Sequence, residues 1–156
     1  MPPVGGYCFI RREEMTKGRL VVAIDGPAGA GKSTIARNVS KILDLEYIDT
    51  GAMYRALTLK VIKNQVDIQD KDDVLKLVQS TSIKFKNNKI YLDGVAVDKE
   101  IRRNIVSNNV SNVAKIKEVR EQLVAMQREL AKDSSIIMDG RDIGTVVLPH
   151  ADFKFF

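Results

Sequence analysis

The chain has 156 residues, 25 Lys+Arg against 20 Asp+Glu, a formal charge of +5 and 44% hydrophobic residues. That length and balance suit one globular domain and exclude a disordered polypeptide. The longest strongly apolar stretch, residues 20–24, is far short of the roughly 20 residues a membrane span needs.

A lone cysteine, Cys8, excludes an internal disulfide framework and fits a reducing compartment. The opening MPPVGGYCFIRREE has no apolar core of signal-peptide length, so a cytoplasmic location is expected. Basic residues are scattered, with no run longer than the pairs Arg11-Arg12 and Arg102-Arg103. Such a surplus suits small anionic phosphates better than a nucleic-acid polymer.

Residues 1–14 carry two prolines, adjacent glycines and no periodic pattern, and read as an extension with little fixed structure. RLVVAID, residues 19–25, is an unbroken apolar run ending in Asp25, which predicts a strand buried on both faces of a parallel sheet. GPAGAGKST follows, then a helix expected to bury Ile35, Ala36, Val39, Ile42 and Leu43 on one face. EYID, residues 46–49, predicts a second strand, and Thr50 is placed to cap a helix through Met53, Leu57 and Val61. Asp70, Asp72 and Asp73 open a short helix, where negative charge suits the dipole. IKFK and KIYLDGVAV alternate with period two around Asn87 and Asn88, which predicts a hairpin. Helical periodicity then runs through Val113, Ile116, Val119, Leu123, Met126 and Leu130. SIIMD, residues 135–139, predicts a third buried strand, and DFKFF a last one.

GPAGAGKS, residues 26–33, matches G-x-x-x-x-G-K-[ST] at every fixed position, between a buried strand and an amphipathic helix. Glycines let successive N–H groups turn inward onto phosphate oxygens, and the helix N-terminus adds partial positive charge. In this arrangement Lys32 reaches the β- and γ-phosphates and the Ser33 hydroxyl ligates Mg²⁺. Gly26, Pro27, Ala28, Gly29, Ala30, Gly31, Lys32, Ser33 and Thr34 form the expected ATP-binding set. Neither D-x-x-G nor N-K-x-D occurs, which disfavours a guanine-nucleotide switch protein.

Together with DTGAMYRALT (residues 49–58) and DGRDIGTVVLPHADFKFF (residues 139–156), this loop resembles the bacterial cytidylate kinases over most of residues 19–156. The resemblance implies an α/β P-loop kinase with a helix-flanked parallel sheet and a small antiparallel nucleotide-binding insert. It implies transfer of the ATP γ-phosphoryl group to CMP or dCMP with Mg²⁺; the full-length form is expected to be a monomer, and the composition points to neither membrane nor nucleic-acid polymer as a partner. A phosphate nucleophile is already anionic, so such a site supplies alignment and positive charge, for which the planar fork of arginine is suited.

By that resemblance Lys32, Arg55 and Arg141 form the catalytic set. Thr50, Arg55, Ser111, Arg120, Arg141 and Asp142 hold the acceptor nucleotide, with Asp142 reading the cytosine amino group. Asp139 joins Ser33 at the metal. His150 reads as a loop residue, and Met126 and Met138 as core fillers.

The expected organisation is an extension over residues 1–14 and an incomplete kinase domain over 15–156. Its core is 19–62 and 108–156, with an insert at about 63–107. Members of the family continue past the strand DFKFF, so the chain reads as an amino-terminal fragment without lid and last strand. Phosphate binding with very slow turnover or none is the corresponding expectation for this fragment. Two competing readings are a nucleotide-binding fragment without turnover and another small-metabolite P-loop kinase.

Overall fold

The computed structural model describes residues 18–156; the reading of residues 1–14, with Tyr7 and Cys8, lies outside the described residues. In chain order the elements are β1 (Val21–Asp25), α1 (Lys32–Leu43), β2 (Glu46–Asp49), α2 (Thr50–Lys63) and α3 (Lys71–Gln79). Next come β3 (Ile83–Lys86), β4 (Lys89–Leu92), β5 (Val95–Ala96), a 3₁₀ turn (Glu100–Arg102), α4 (Asn104–Ala114) and α5 (Lys117–Leu130). β6 (Ile136–Gly140), a π-helical turn (Ile143–Val147) and β7 (Phe153–Phe155) complete the described chain. Four strands form a parallel sheet in the order β2-β6-β1-β7, and β3, β4 and β5 form a separate antiparallel sheet.

Alternation along the parallel strands divides the core in two. Val21 and Ala23 of β1 and Ile136 and Met138 of β6 face the larger cluster, built with Met53, Leu57, Val113, Val119 and Leu123. Val22, Ile24 and Ile137 face the smaller one with Ala36, Leu45 and Tyr47. The apolar runs of β1 and β6 thus reflect burial on both faces, as a parallel sheet requires. Met138 is fully buried and Met126 packs against the large cluster, as core fillers do.

Three local expectations need correction. The face of α1 that meets the sheet is carried by Ala36 and Ser40, with Val39 and Leu43 half-buried, while Ile35 (55%) and Ile42 (74%) face outward. Small residues at i and i+4 let the helix approach closely, which rotates the bulkier pair away. The residue capping α2 is Asp49, whose carboxylate accepts from Ala52 N–H at 3.0 Å; Thr50 is the first helical residue. The stripe from Val113 to Leu130 is two helices, because Ile116 leaves helical geometry (ψ 114°) between α4 and α5.

The other signals hold. Asp70 caps α3 by accepting from Asp73 N–H at 3.1 Å. Asn87 and Asn88 adopt φ 51° and 58°, the paired positive values that a two-residue hairpin needs. A second tight turn at Asp93 (φ 47°) and Gly94 (φ 85°) brings β5 back onto β4. Among the described residues no helix is long and apolar enough to cross a membrane.

Candidate functional site

Three parallel strands end in acid or beside it at one edge: Asp25 closes β1, Asp49 closes β2, and Asp139 stands one residue before the end of β6. The register sets Asp49 opposite Asp139, and Asp25 opposite Gly140. This is the carboxyl edge, where ligands of open α/β sheets bind.

The phosphate loop leaves β1 at this edge. Gly31 sits at the N-terminus of α1 with φ 83°, a left-handed geometry that favours glycine, and turns the chain into the helix. Lys32 Nζ donates to Pro27 O at 2.9 Å, so the ammonium curls back over the loop, its stem 3.3 Å from where a Cβ on Gly26 would stand. Ser33 and Thr34, at the start of α1, are exposed.

Asp139 is the buried member of the acidic edge, 3% exposed. Its Oδ2 accepts from Ser33 Oγ at 2.9 Å and from Tyr47 Oη at 3.2 Å, while Oδ1 is buried with no partner among the described residues. Burial, reinforced by the Asp49 charge, raises its carboxyl from 3.8 to about 6, with Ser33, Tyr47 and Lys32 opposing. Burial also pushes the Tyr47 phenol up, with Asp49 adding to the effect.

An unpartnered buried carboxylate oxygen beside a serine hydroxyl suits a cation. No group of three His, Cys, Asp or Glu among the described residues could hold a metal by itself. Mg²⁺ fits that donor set, because it keeps several waters and binds through one or two protein oxygens plus substrate phosphates.

Thr50 is buried and donates to Asp139 O at 2.8 Å, so its hydroxyl supports the end of β6. Directly beyond, Arg141 is exposed, and Asp142 stands 3.5 Å from Arg120 of α5. Two residues expected at the acceptor base are thus brought together across the gap between strand and helix. Tyr54 joins them: burial raises its phenol, with Arg120 opposing and Asp142 adding.

A cleft of about 410 Å³ opens between Arg37 of α1, the end of β2 and the start of α2 on one side and the antiparallel sheet on the other; no residue of the phosphate loop lines it, and neither does Asp139. Arg55 lines it and is half-buried, its Nη1 donating to Ser107 Oγ at 2.8 Å and Ile101 O at 3.2 Å. Thr50, Ser111, Arg120, Arg141 and Asp142 lie outside the lining of that cleft. Ser111 is exposed on α4, one turn beyond the serine that meets Arg55.

Sequence reasoning missed Arg37, Tyr47, Asp49, Asp98, Arg102 and Ser107 of the lining. One signal was readable: the repeated strand-closing dipeptides Ile24-Asp25, Ile48-Asp49 and Met138-Asp139 mark the acidic edge. Arg37 lies with its guanidinium carbon 5.7 Å from the Tyr47 ring centroid, within cation–π range, a contact that no spacing announces. His150 is exposed in the turn before β7, as a plain loop residue.

The chain is similar to proteins named cytidylate kinase in several bacteria. The relative from Clostridioides difficile (strain 630) is 56% identical over 139 residues, which cover 89% of this chain and 64% of that protein. The one from Caldanaerobacter subterraneus subsp. tengcongensis is 52% identical over 135 residues, 86% of this chain and 60% of the relative. The one from Alkaliphilus oremlandii is 56% identical over 135 residues, 86% and 62% respectively. The chain therefore spans about three fifths of the length of the curated relatives it matches. The sequence model of the family described as cytidylate kinase matches residues 22–156, the phosphate loop, acidic edge, antiparallel sheet and Arg141 loop included. With that span of agreement over an α/β core of the expected topology, the chain belongs to the cytidylate kinase family.

Proposed function

We propose that this chain belongs to a kinase that moves the γ-phosphoryl group of ATP to CMP or dCMP, giving ADP and the diphosphate. The observation that carries this reading is the convergence at the end of β6. Ser33 of the phosphate loop meets Asp139 at 2.9 Å, and Arg141 and Asp142 follow two and three residues later on the same backbone. Donor and acceptor groups so close along one strand suit transfer between two bound phosphates.

In this reading loop N–H groups of residues 26–34 cradle the donor phosphates, and Lys32 exchanges Pro27 O for a phosphate oxygen. An acceptor phosphate oxygen attacks the γ-phosphorus while the bond to the bridging oxygen of ADP breaks. Arg55 and Arg141 hold the acceptor phosphate in line and offset repulsion between the anions. Thr50 helps hold the acceptor nucleotide while bonded to the strand end, Asp142 reads the cytosine amino group, and Arg120, beside Asp142, is a further contact to the base. Ser111 belongs to the acceptor side through α4. Mg²⁺, held by Ser33 and Asp139, would neutralise charge on the phosphates.

The proposed organisation is a kinase domain over 15–156, core 19–62 and 108–156, with a nucleotide-binding insert at about 63–107. We place it in the cytoplasm, its full-length form a monomer, acting on nucleotides without membrane or nucleic-acid partners. Its lone cysteine and scattered basic residues support that placement.

The test is ADP formation from MgATP with CMP, dCMP, UMP, AMP and shikimate as acceptors, in this chain and in a version extended to its relatives' length. CMP or dCMP should be preferred, and Lys32→Ala should abolish turnover in the extended version while leaving its melting temperature within a few degrees. Turnover with AMP or shikimate above that with CMP overturns the substrate assignment. A Lys32→Ala protein of normal rate overturns the role of the loop.

A further inference from the structure

The carboxylate that closes β1 touches neither the metal pair nor the cleft, yet it is fully engaged. Asp25 Oδ1 accepts from Ile143 N–H at 2.7 Å and Oδ2 from Gly144 N–H at 2.8 Å. Those are the first two residues of the π-helical turn immediately behind Arg141 and Asp142. Along the chain Asp25 directly precedes Gly26, where the phosphate loop begins, and Gly26 N–H itself reaches Gly140 O at 3.3 Å. One side chain therefore joins the root of the donor loop to the back of the acceptor loop.

The other end of the turn is held by opposite charge. Arg128 of α5 donates to Val146 O at 2.7 Å and to Val147 O at 3.0 Å. An anion on free N–H groups and a cation on free carbonyls is the pairing a helical turn's dipole favours. Close approach is built in as well: a Cβ on Gly144 would stand 3.3 Å from Asp25 Oδ2 and 3.1 Å from Lys154 Cδ. Charge-assisted bonds of this length are the strong class, and two on one carboxylate also fix orientation.

We propose that Asp25 is a positioning residue, whose carboxylate locks the Arg141/Asp142 loop in register with the phosphate loop. Asp25 touches neither nucleotide; it sets the distance between the groups that do. The inference rests on the kinase reading above. Asp25→Asn preserves volume and one acceptor but turns an NH₂ toward one of the two N–H donors. Arg128→Met keeps the aliphatic stem and frees the opposite end of the same turn.

The test compares Asp25→Asn and Arg128→Met with wild type by calorimetric titration with CMP and with MgATP separately, and by hydrogen exchange over residues 141–147. Loss of a charge-assisted bond should weaken CMP about tenfold or more and MgATP less than about threefold. Exchange over 141–147 should accelerate by a similar factor while the rest of the sheet stays protected. Unchanged exchange and unchanged CMP affinity in both variants overturn the proposal. Equal weakening of both nucleotides with a general loss of protection reduces Asp25 to a stability residue and overturns it too. Should Asp25→Asn not fold, Arg128→Met decides by the same measures. A wild type indifferent to CMP would refute the kinase reading instead, and exchange then decides the brace on its own.

Discussion

Replacing Gly140 by alanine puts a single methyl group at the most crowded point of the site. The new Cβ would stand 2.6 Å from Thr50 Oγ1 and 2.7 and 2.8 Å from Cδ1 and Cγ1 of Ile143. Neither neighbour is free to yield. Thr50 is 5% exposed with its hydroxyl bonded to Asp139 O at 2.8 Å, and Ile143 is 1% exposed within the large core cluster. Overpacking of this kind costs about 1–3 kcal/mol, and displacing the Thr50 hydroxyl adds about 1 kcal/mol. For a chain of this size the sum of about 2–4 kcal/mol lowers the melting temperature by roughly 5–15 °C. Pushing Ile143 also shifts the segment behind Arg141 and Asp142, so CMP affinity should fall further than MgATP affinity. Thermal melting and calorimetric titration read both effects, with Gly18→Ala, where no atom lies within 4 Å, as the control. A Gly140→Ala protein melting within a degree or two of wild type, with unchanged CMP affinity, would refute the packing argument.

Three further outcomes follow, two from the same edge and one from the far end of α2. Asp139 rises from 3.8 to about 6 on folding, so its contribution to stability is full below about pH 4 and lost as pH rises through 6. That is about 3 kcal/mol of pH-dependent stability. Urea midpoints in chelator at pH 4.5 and pH 8 should show Asp139→Asn gaining on wild type at the higher pH, and a pH-independent difference would contradict the burial argument. Asp142→Ala should weaken CMP roughly five- to hundred-fold with little change for MgATP; equal losses in titration would make Asp142 structural. Lys60 Nζ pairs with Asp93 at 2.7 Å and bonds Ser80 O at 3.1 Å, so Lys60→Met should cost about 1–2 kcal/mol in urea unfolding. A neutral result there would mean that the pair contributes nothing.

The phosphate loop is legible in sequence because each of its fixed positions answers a separate local need of backbone or charge. Asn87 and Asn88 are legible for the same reason, since their positive φ values belong to the dipeptide and not to its surroundings. What escapes is whatever depends on partners remote in sequence. The break at Ile116 carries no Gly or Pro, and the apolar stripe runs through it undisturbed, so periodicity alone joins α4 to α5. The outward turn of Ile35 and Ile42 follows from how closely α1 can approach the sheet. Ser107 and Ser111 lie one turn apart on α4, and spacing cannot say which of them meets Arg55. Asp25 is visible as a strand-closing acid, but the amides it holds lie 118 and 119 residues away.

The larger hydrophobic cluster does not stop at the boundary between the two sheets. Ile83, Ile90, Leu92, Val97 and Ile101 from the antiparallel region join Met53, Leu57, Met138 and Leu123 in one continuous core. Melting is accordingly a property of both sheets at once. Heat or denaturant should remove them in a single cooperative transition, because neither keeps a closed interior without the other. Excising the segment from α3 to β5 would strip the flank of α2 that carries Arg55 and bare its apolar side to water. What looks in outline like a removable module is, in thermodynamic terms, a wall of the same room.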